Sequence, residues 1–297
     1  MARGRRRPIL PVRTRRVHLA ARASPRRRLS GPPTPPYPGA VPPPAGRRAP
    51  GSPASAAARA PHAARPRRAK PPLTLQVTTL WDYPSQHYGE DEQGSQGYRG
   101  ATPSYVIWNV VSRYTQPGDL VIDPFVGSGT TLDVCRDLDR RALGFDLVQT
   151  RPDVTVADAR SLPVKQRAAA LVFMDPPYAD NLEYSADPHC LGRLPADGRW
   201  QRAMRLVVSE AHRILRDDGV LAAFVCDVFQ KRRGFFPLGF ELFTMARAQG
   251  LVPLDVVAVV RHSRTLGLGN YRQAADEAGF FLRGFSYLLL FRKPARR

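Results

Sequence analysis

The sequence predicts an α/β protein built on one mostly parallel, seven-stranded sheet with an antiparallel hairpin at one edge. From residue 104 onward, apolar runs of strand length alternate with helix-length segments, the pattern of βαβ units. The runs are continuously apolar, as in strands covered on both faces. The last two have no obvious long helix between them, which makes them an antiparallel pair.

The first element is a helix over 104–115, where Ile107, Val110, Val111 and Tyr114 share one face and Pro117-Gly118 provides the stop. DLVIDPF (119–125) is the first strand, and a helix over 129–139 leaves it. RALGFDL (141–147), VTVADA (154–159) and AAALVFMD (168–175) are the second, third and fourth strands. A helix over 199–215 ends at the Asp218-Gly219 turn. GVLAAFVCDVF (219–229) is the fifth strand, 239–248 a helix, PLDVVAVVRH (253–262) the sixth strand and FSYLLLFRK (285–293) the seventh. The pattern shows no internal repeat and no insertion long enough for a second folded domain.

The chain carries 45 Lys and Arg against 25 Asp and Glu, a net charge of +20. Residues 1–70 hold 18 of the basic side chains and no acid, so the excess belongs to a tail. Rich in Pro, Ala, Arg and Gly, residues 1–72 have little to bury and are expected to be disordered and dispensable for chemistry. That leaves 73–297 as the folded domain, to which any chemistry is expected to belong. Few serines and proline clusters at 32–38 and 42–44 set the tail apart from a transit peptide, and a start assigned too far upstream explains it as well. No run reaches the roughly 18 apolar residues of a membrane span. Cys135, Cys190 and Cys226 are odd in number and in no metal-ligand pattern. The expectation is a soluble, cytoplasmic protein with no metal site.

Four successive strands end in aspartate: Asp123, Asp146, Asp158 and Asp175. In an open parallel sheet, ligands sit beyond the carboxyl ends of the strands, so these acids should converge on one crevice. Aspartate also caps helices and starts turns, which explains any one of the four but explains the set poorly. After Asp123, the string DPFVGSGTT (123–131) places Gly127 and Gly129 in a tight turn, and Thr130 and Thr131 open the next helix. No lysine follows the glycines, and Leu132 occupies the third glycine position of a dinucleotide fingerprint, so nucleoside polyphosphates and nicotinamide cofactors are disfavoured. Asp146 stands where a carboxylate accepts hydrogen bonds from ribose hydroxyls, and Asp158 where one meets an adenine amine. Ribose, adenine and a small zwitterion together describe S-adenosylmethionine.

The fourth strand runs into Asp175-Pro176-Pro177-Tyr178. An exocyclic amine on a nucleobase is a poor nucleophile, because its lone pair is delocalised into the ring. Two acceptors aimed at its hydrogens, the Asp175 carboxylate and the Pro176 carbonyl, would turn that lone pair toward a methyl donor. The prolines stiffen the backbone, and Tyr178 offers a flat face for a base extruded from its stack. Such a displacement needs mainly positioning and a suitable field.

The pair DPFVGSGTT and DPPY resembles the amino-methyltransferases that modify adenine N6 or cytosine N4 in DNA, over roughly residues 80–293. The resemblance implies a Rossmann-like S-adenosylmethionine methyltransferase fold. It implies that Asp123, Pro124, Phe125, Gly127, Gly129 and Thr130 form the cofactor loop. Asp146 with Leu147, and Asp158 with Ala159, would take the ribose and adenine, and Asp175, Pro176, Pro177 and Tyr178 would form the catalytic motif. The segment RGATPSY (99–105) is similar to the family's contact for the methionine end. DNA is the expected partner, adenine N6 being favoured over cytosine N4. DPPY also occurs in RNA guanine-N2 methyltransferases, so structured RNA stays open as an alternative substrate. A non-enzymatic module on a decayed fold is argued against by the intact Gly127, Gly129 and Asp175.

For substrate contacts, residues 179–198, with Asp180, Glu183, Tyr184 and Asp187, form a candidate lid over the base pocket. The segments QKRRGFF (230–236) and RHSRTLGLGNYRQ (261–273) mix Lys231, Arg232, Arg233, Arg261, Arg264 and Arg272 with Phe235, Phe236 and Tyr271. Basic groups neutralise phosphates and rings stack on bases. His262 is expected to be a hydrogen-bonded turn residue.

Overall fold

A computed structural model of the protein describes residues 72–98, 100–179, 185–195, 198–230, 233–262 and 267–296. The predicted tail, apart from residue 72, lies outside these residues, as do Asp180, Glu183, Tyr184, Lys231, Arg232 and Arg264. Every described element falls in one compact unit, Arg65–Arg297.

Ten strands and five α-helices are described. They follow one another as β1 (Leu80–Trp81), α1 (Ser104–Tyr114), β2 (Leu120–Asp123), α2 (Thr130–Asp137), β3 (Arg141–Asp146), β4 (Val154–Val156) and β5 (Ala169–Met174). Then come α3 (Gly198–Ile214), β6 (Leu215–Val225), β7 (Val228–Gln230), β8 (Gly234–Phe236), α4 (Leu238–Ala248), β9 (Val252–Val260), α5 (Gly269–Glu277) and β10 (Phe285–Arg292). The main sheet has eight strands in the order β1-β9-β10-β6-β5-β2-β3-β4, with β7 and β8 forming a separate hairpin. The seven expected strands are all present, and the two-residue β1 is an addition.

β2 pairs in parallel with β3 on one side and β5 on the other, so the strand order reverses between β2 and β5. That switch point opens a crevice at the carboxyl ends of the two strands, where Asp123 and Asp175 stand. All six residues of β5 are buried. Its side chains alternate between two cores, as the period of a strand requires. Val172 and Met174 pack with Trp200, Met204 and Val208 of α3. Leu171 and Phe173 pack with Val106, Ile107 and Val110 of α1.

The edge differs from expectation. β10 is antiparallel to both β6 and β9 and lies between them. β9 is thus not the border, because β1 pairs outside it in parallel. A helix, α5, does separate β9 from β10. Of its residues only Ala275 is buried, so it has no apolar stripe for the sequence pattern to reveal. β6 also begins earlier than expected, at Leu215. The Asp218-Gly219 turn falls inside it as an irregularity: the partners of β5 jump from Leu215 to Val220, and Asp218 takes φ 60°. Asp218 and Gly219 exchange backbone hydrogen bonds with Lys293, which holds the bulge in the sheet. β4 stops at Val156, two residues before Asp158. No helix among the described residues is long and apolar enough to cross a membrane.

Candidate active site

The turn leaving β2 is held by Asp123. Its buried carboxylate accepts from the Phe125 amide (2.9 Å) and from the Thr131 hydroxyl (2.5 Å), so it ties the turn to the first turn of α2. Burial pushes its pKa up to about 7 against those two hydrogen bonds. Gly127 (φ 47°) and Gly129 (φ 83°) both occupy the left-handed region. A Cβ on Gly127 would lie 2.8 Å from the Tyr98 hydroxyl, and one on Gly129 would strike the Arg151 guanidinium. The Gly127 amide donates to Asp146 (3.1 Å), which joins the turn to the end of β3.

These groups border a cavity of about 380 Å³. Asp123, Pro124, Phe125, Gly127 and Thr130 line it on one side. Asp146, Leu147, Asp158 and Ala159 line it on another, and Asp175 and Pro177 close it. Gly129 stands behind the lining as the N-cap of α2. Burial raises the Asp146 carboxyl, although the amides of Gly127, Val148 and Leu147 oppose the rise. Asp158 is gripped through both oxygens by the Arg160 guanidinium at 2.5 to 3.0 Å. Burial raises its pKa, but the Arg160 hydrogen bonds and charge outweigh that and hold the carboxyl below its ordinary value. Gly100, Ala101 and Thr102, from the predicted methionine-end segment, also reach this cavity.

Asp175, just beyond β5, has both oxygens engaged. Thr102 donates to one (2.5 Å) and the Tyr178 hydroxyl to the other (2.7 Å), so the ring of Tyr178 is anchored to the carboxylate it follows. Burial lifts this carboxyl to about 6, against those hydrogen bonds and the positive charge of Arg261. From the other side, the fully buried Trp200 donates its indole N–H to the Pro177 carbonyl (3.1 Å) and pins the motif to α3. A second cavity, about 450 Å³, opens past Asp175. Tyr83, Tyr105, Tyr178, Phe224 and Arg261 are among its walls. Asp175, Gly100 and Ala101 border both cavities.

Pro176 is buried and is not among the residues that line either cavity. The described part of the candidate lid also departs from expectation. Ser185, Ala186, His189 and Leu191 border the first cavity, not the second. Arg261, anticipated as a phosphate contact, is a wall of the second cavity and donates to Cys226 Sγ (3.0 Å). His262 pairs with Asp82 at 2.6 Å, as a hydrogen-bonded turn residue should. Sequence reasoning missed Tyr98 and the role of Thr102. Tyr98 lines the first cavity, and burial, then the charges of Asp146 and Asp175, raise its hydroxyl to about 12.

A family model described as DNA methylase matches residues 52–155. That span includes the Gly127 turn and Asp146 but ends before Asp158 and Asp175. The chain is 32% identical to the Type II methyltransferase M.HinfI of Haemophilus influenzae over 73 residues, 25% of this chain and 20% of that one. It is 46% identical to the Type II methyltransferase M2.DpnII of Streptococcus pneumoniae over 44 residues, 15% of this chain and 16% of the relative. Among solved structures, an S-adenosylmethionine-dependent methyltransferase of Methanosarcina mazei aligns at 11% identity with a TM-score of 0.42, covering 63% of this chain and 98% of that one. The chain is thus similar to the amino-methylating DNA methyltransferases, and it spans a minor part of the length of these curated relatives.

Proposed function

We propose that the chain is an S-adenosylmethionine-dependent methyltransferase acting on an exocyclic amine of a base in DNA, adenine N6 in preference to cytosine N4. The observation that carries this reading is the meeting of two cavities at Asp175, one beside the glycine turn and one walled by aromatic rings and an arginine. The first offers the carboxylates of Asp146 and Asp158 to hydroxyl and amine donors, and its size suits a nucleoside-sized ligand. When bound there, S-adenosylmethionine supplies an electrophilic methyl group on sulfur.

The chain's own part is to hold and orient. Ionised Asp175 accepts a hydrogen from the amine entering the second cavity. Its oxygens have lone pairs to spare, because each can accept more than the one hydroxyl bond it already has. Tyr178, tethered through its hydroxyl, keeps its ring in a fixed place beside the base, and Arg261 offers donors to ring acceptors or to phosphate. We assign this chemistry to residues 73–297 and place the protein in the cytoplasm, in keeping with three free, buried thiols. DNA is preferred over the RNA guanine-N2 alternative because the matching family model is described as DNA methylase.

The test is transfer of labelled methyl from S-adenosylmethionine to unmodified DNA, followed by nucleoside analysis. Asp175→Ala is expected to lower kcat about a hundredfold or more, the usual cost of losing a positioned polar group at the reacting centre. Equal incorporation by the variant would remove Asp175 from the mechanism. Methylation of RNA alone would move the substrate.

A further inference from the structure

Beyond the second cavity, the carboxyl rim of the sheet carries a cluster of rings that the chemistry above does not use. The hairpin β7–β8 leaves the end of β6, and the segment 278–285 leads into β10 beside it. Phe229 of β7 stacks on Phe280 with ring centroids 4.3 Å apart. Arg283 lies over the ring of Phe235, 5.2 Å from its centre. At the second pair is a cleft of about 220 Å³, bordered by Phe235, Phe281, Arg283, Phe285 and Tyr287. Phe281 is 85% exposed, Phe235 49% and Phe285 43%. Exposed rings gathered around one cleft form the kind of contiguous apolar patch that marks a contact site.

The segments that border the cleft are tied to those that border the second cavity. The Arg261 amide donates to the Gly284 carbonyl (2.9 Å), and Cys226 Sγ donates to the Phe285 carbonyl (3.5 Å). Ser286, next along β10, is a wall of that cavity. In sequence, residues 228–236 and 261–285 hold seven Lys or Arg against two acids, and among the described residues Arg283 is the cation that borders the cleft. Asp227, a wall of the cleft, is buried and taken up by the Gly239 amide and the Tyr287 hydroxyl, both at 3.0 Å.

We propose that this ring cluster is a stacking platform for nucleotides flanking the target base in DNA, with Phe281 and Phe235 receiving bases and Arg283 receiving a phosphate. Rings beside cations are the combination that binds an unstacked strand without reading its sequence. The inference rests on the nucleobase reading of the active site. It adds to that reading a surface for the neighbours of the extruded base.

The experiment measures the affinity of the full chain for a fluorescein-labelled DNA duplex containing one abasic position, and for the same strand unpaired, by fluorescence anisotropy. Phe281→Ala and Phe235→Ala are expected to weaken binding about tenfold each, as loss of one base–ring stack does. Calorimetric binding of S-adenosylmethionine should be unchanged, which shows that both variants fold. If wild type binds and methylates DNA while both variants bind it equally well, the platform is wrong and the active-site reading stands. If wild type binds neither DNA, both ideas fall. If the variants turn a dimer into a monomer by sedimentation without changing DNA affinity, the rings are a contact between copies of this chain and the proposal is overturned.

Discussion

Burial lifts the Asp175 carboxyl to about 6, and hydrogen bonds from Thr102 and Tyr178 hold it from rising further. If Asp175 must be ionised to accept the amine, kcat/KM falls as the pH drops through about 6 and is level above it. Thr102→Val removes a hydrogen bond that favours the charged form. The acid limb should then move to higher pH, by about one unit or more, given the usual strength of a bond to a charged group. Thr102→Ser should return it. A limb that stays in place in the valine variant would show that Thr102 does not tune this carboxylate. Asp175 was legible from its position after a buried strand, but its partner Thr102 was not. The two are 73 residues apart in sequence, and neither residue type carries a local mark of the other.

At the scale of elements, the β2–α2 turn is the most local feature of the site and the most readable. Its glycines, its acid and its threonines lie within nine residues, and each does in space what its type suggests. Gly127 sits at positive φ with its amide on Asp146 and the Tyr98 hydroxyl where a Cβ would crowd it. Gly127→Ala would strain the backbone by about 1 kcal/mol or more and push Tyr98 away from the cavity. The expected result is S-adenosylmethionine affinity at least about tenfold weaker by calorimetry, with the fold retained by circular dichroism. Unchanged affinity would separate the turn from the ligand. α5 was missed for the opposite reason. Its helix is polar almost all round, so periodicity offers no signal, and only its place between β9 and β10 explains it.

For the whole molecule, three carboxyls at one rim, Asp123, Asp146 and Asp175, are raised by burial. Unfolded, Asp123 loses its proton near the ordinary value of 3.8, and folded it keeps the proton to about 7. Between those limits the native state binds more protons, so Asp123 costs stability as the pH rises through the window. Asp123→Asn keeps the shape and the acceptor for Phe125 and removes the charge. Without ligand, its thermal midpoint should exceed that of wild type at pH 8 by about 2–4 °C or more, the shift that goes with about 1 kcal/mol. The difference should fade near pH 5. A midpoint equally raised at both pH values would point to packing and not to the charge.

The sequence by itself determined the class of fold, the succession of strands and helices, the glycine turn and the acids at the strand ends. Each of these follows from local chemistry: the period of apolar residues, the freedom of glycine and the stops that proline and aspartate impose. Tertiary structure alone decided that β10 enters between β6 and β9, that β1 forms the border, and that Thr102 bonds to Asp175 where two cavities join, within reach of the Arg261 charge. Strand pairing depends on which register lets distant apolar faces bury one another, and hydrogen bonds between distant segments leave no trace in the residues around either partner.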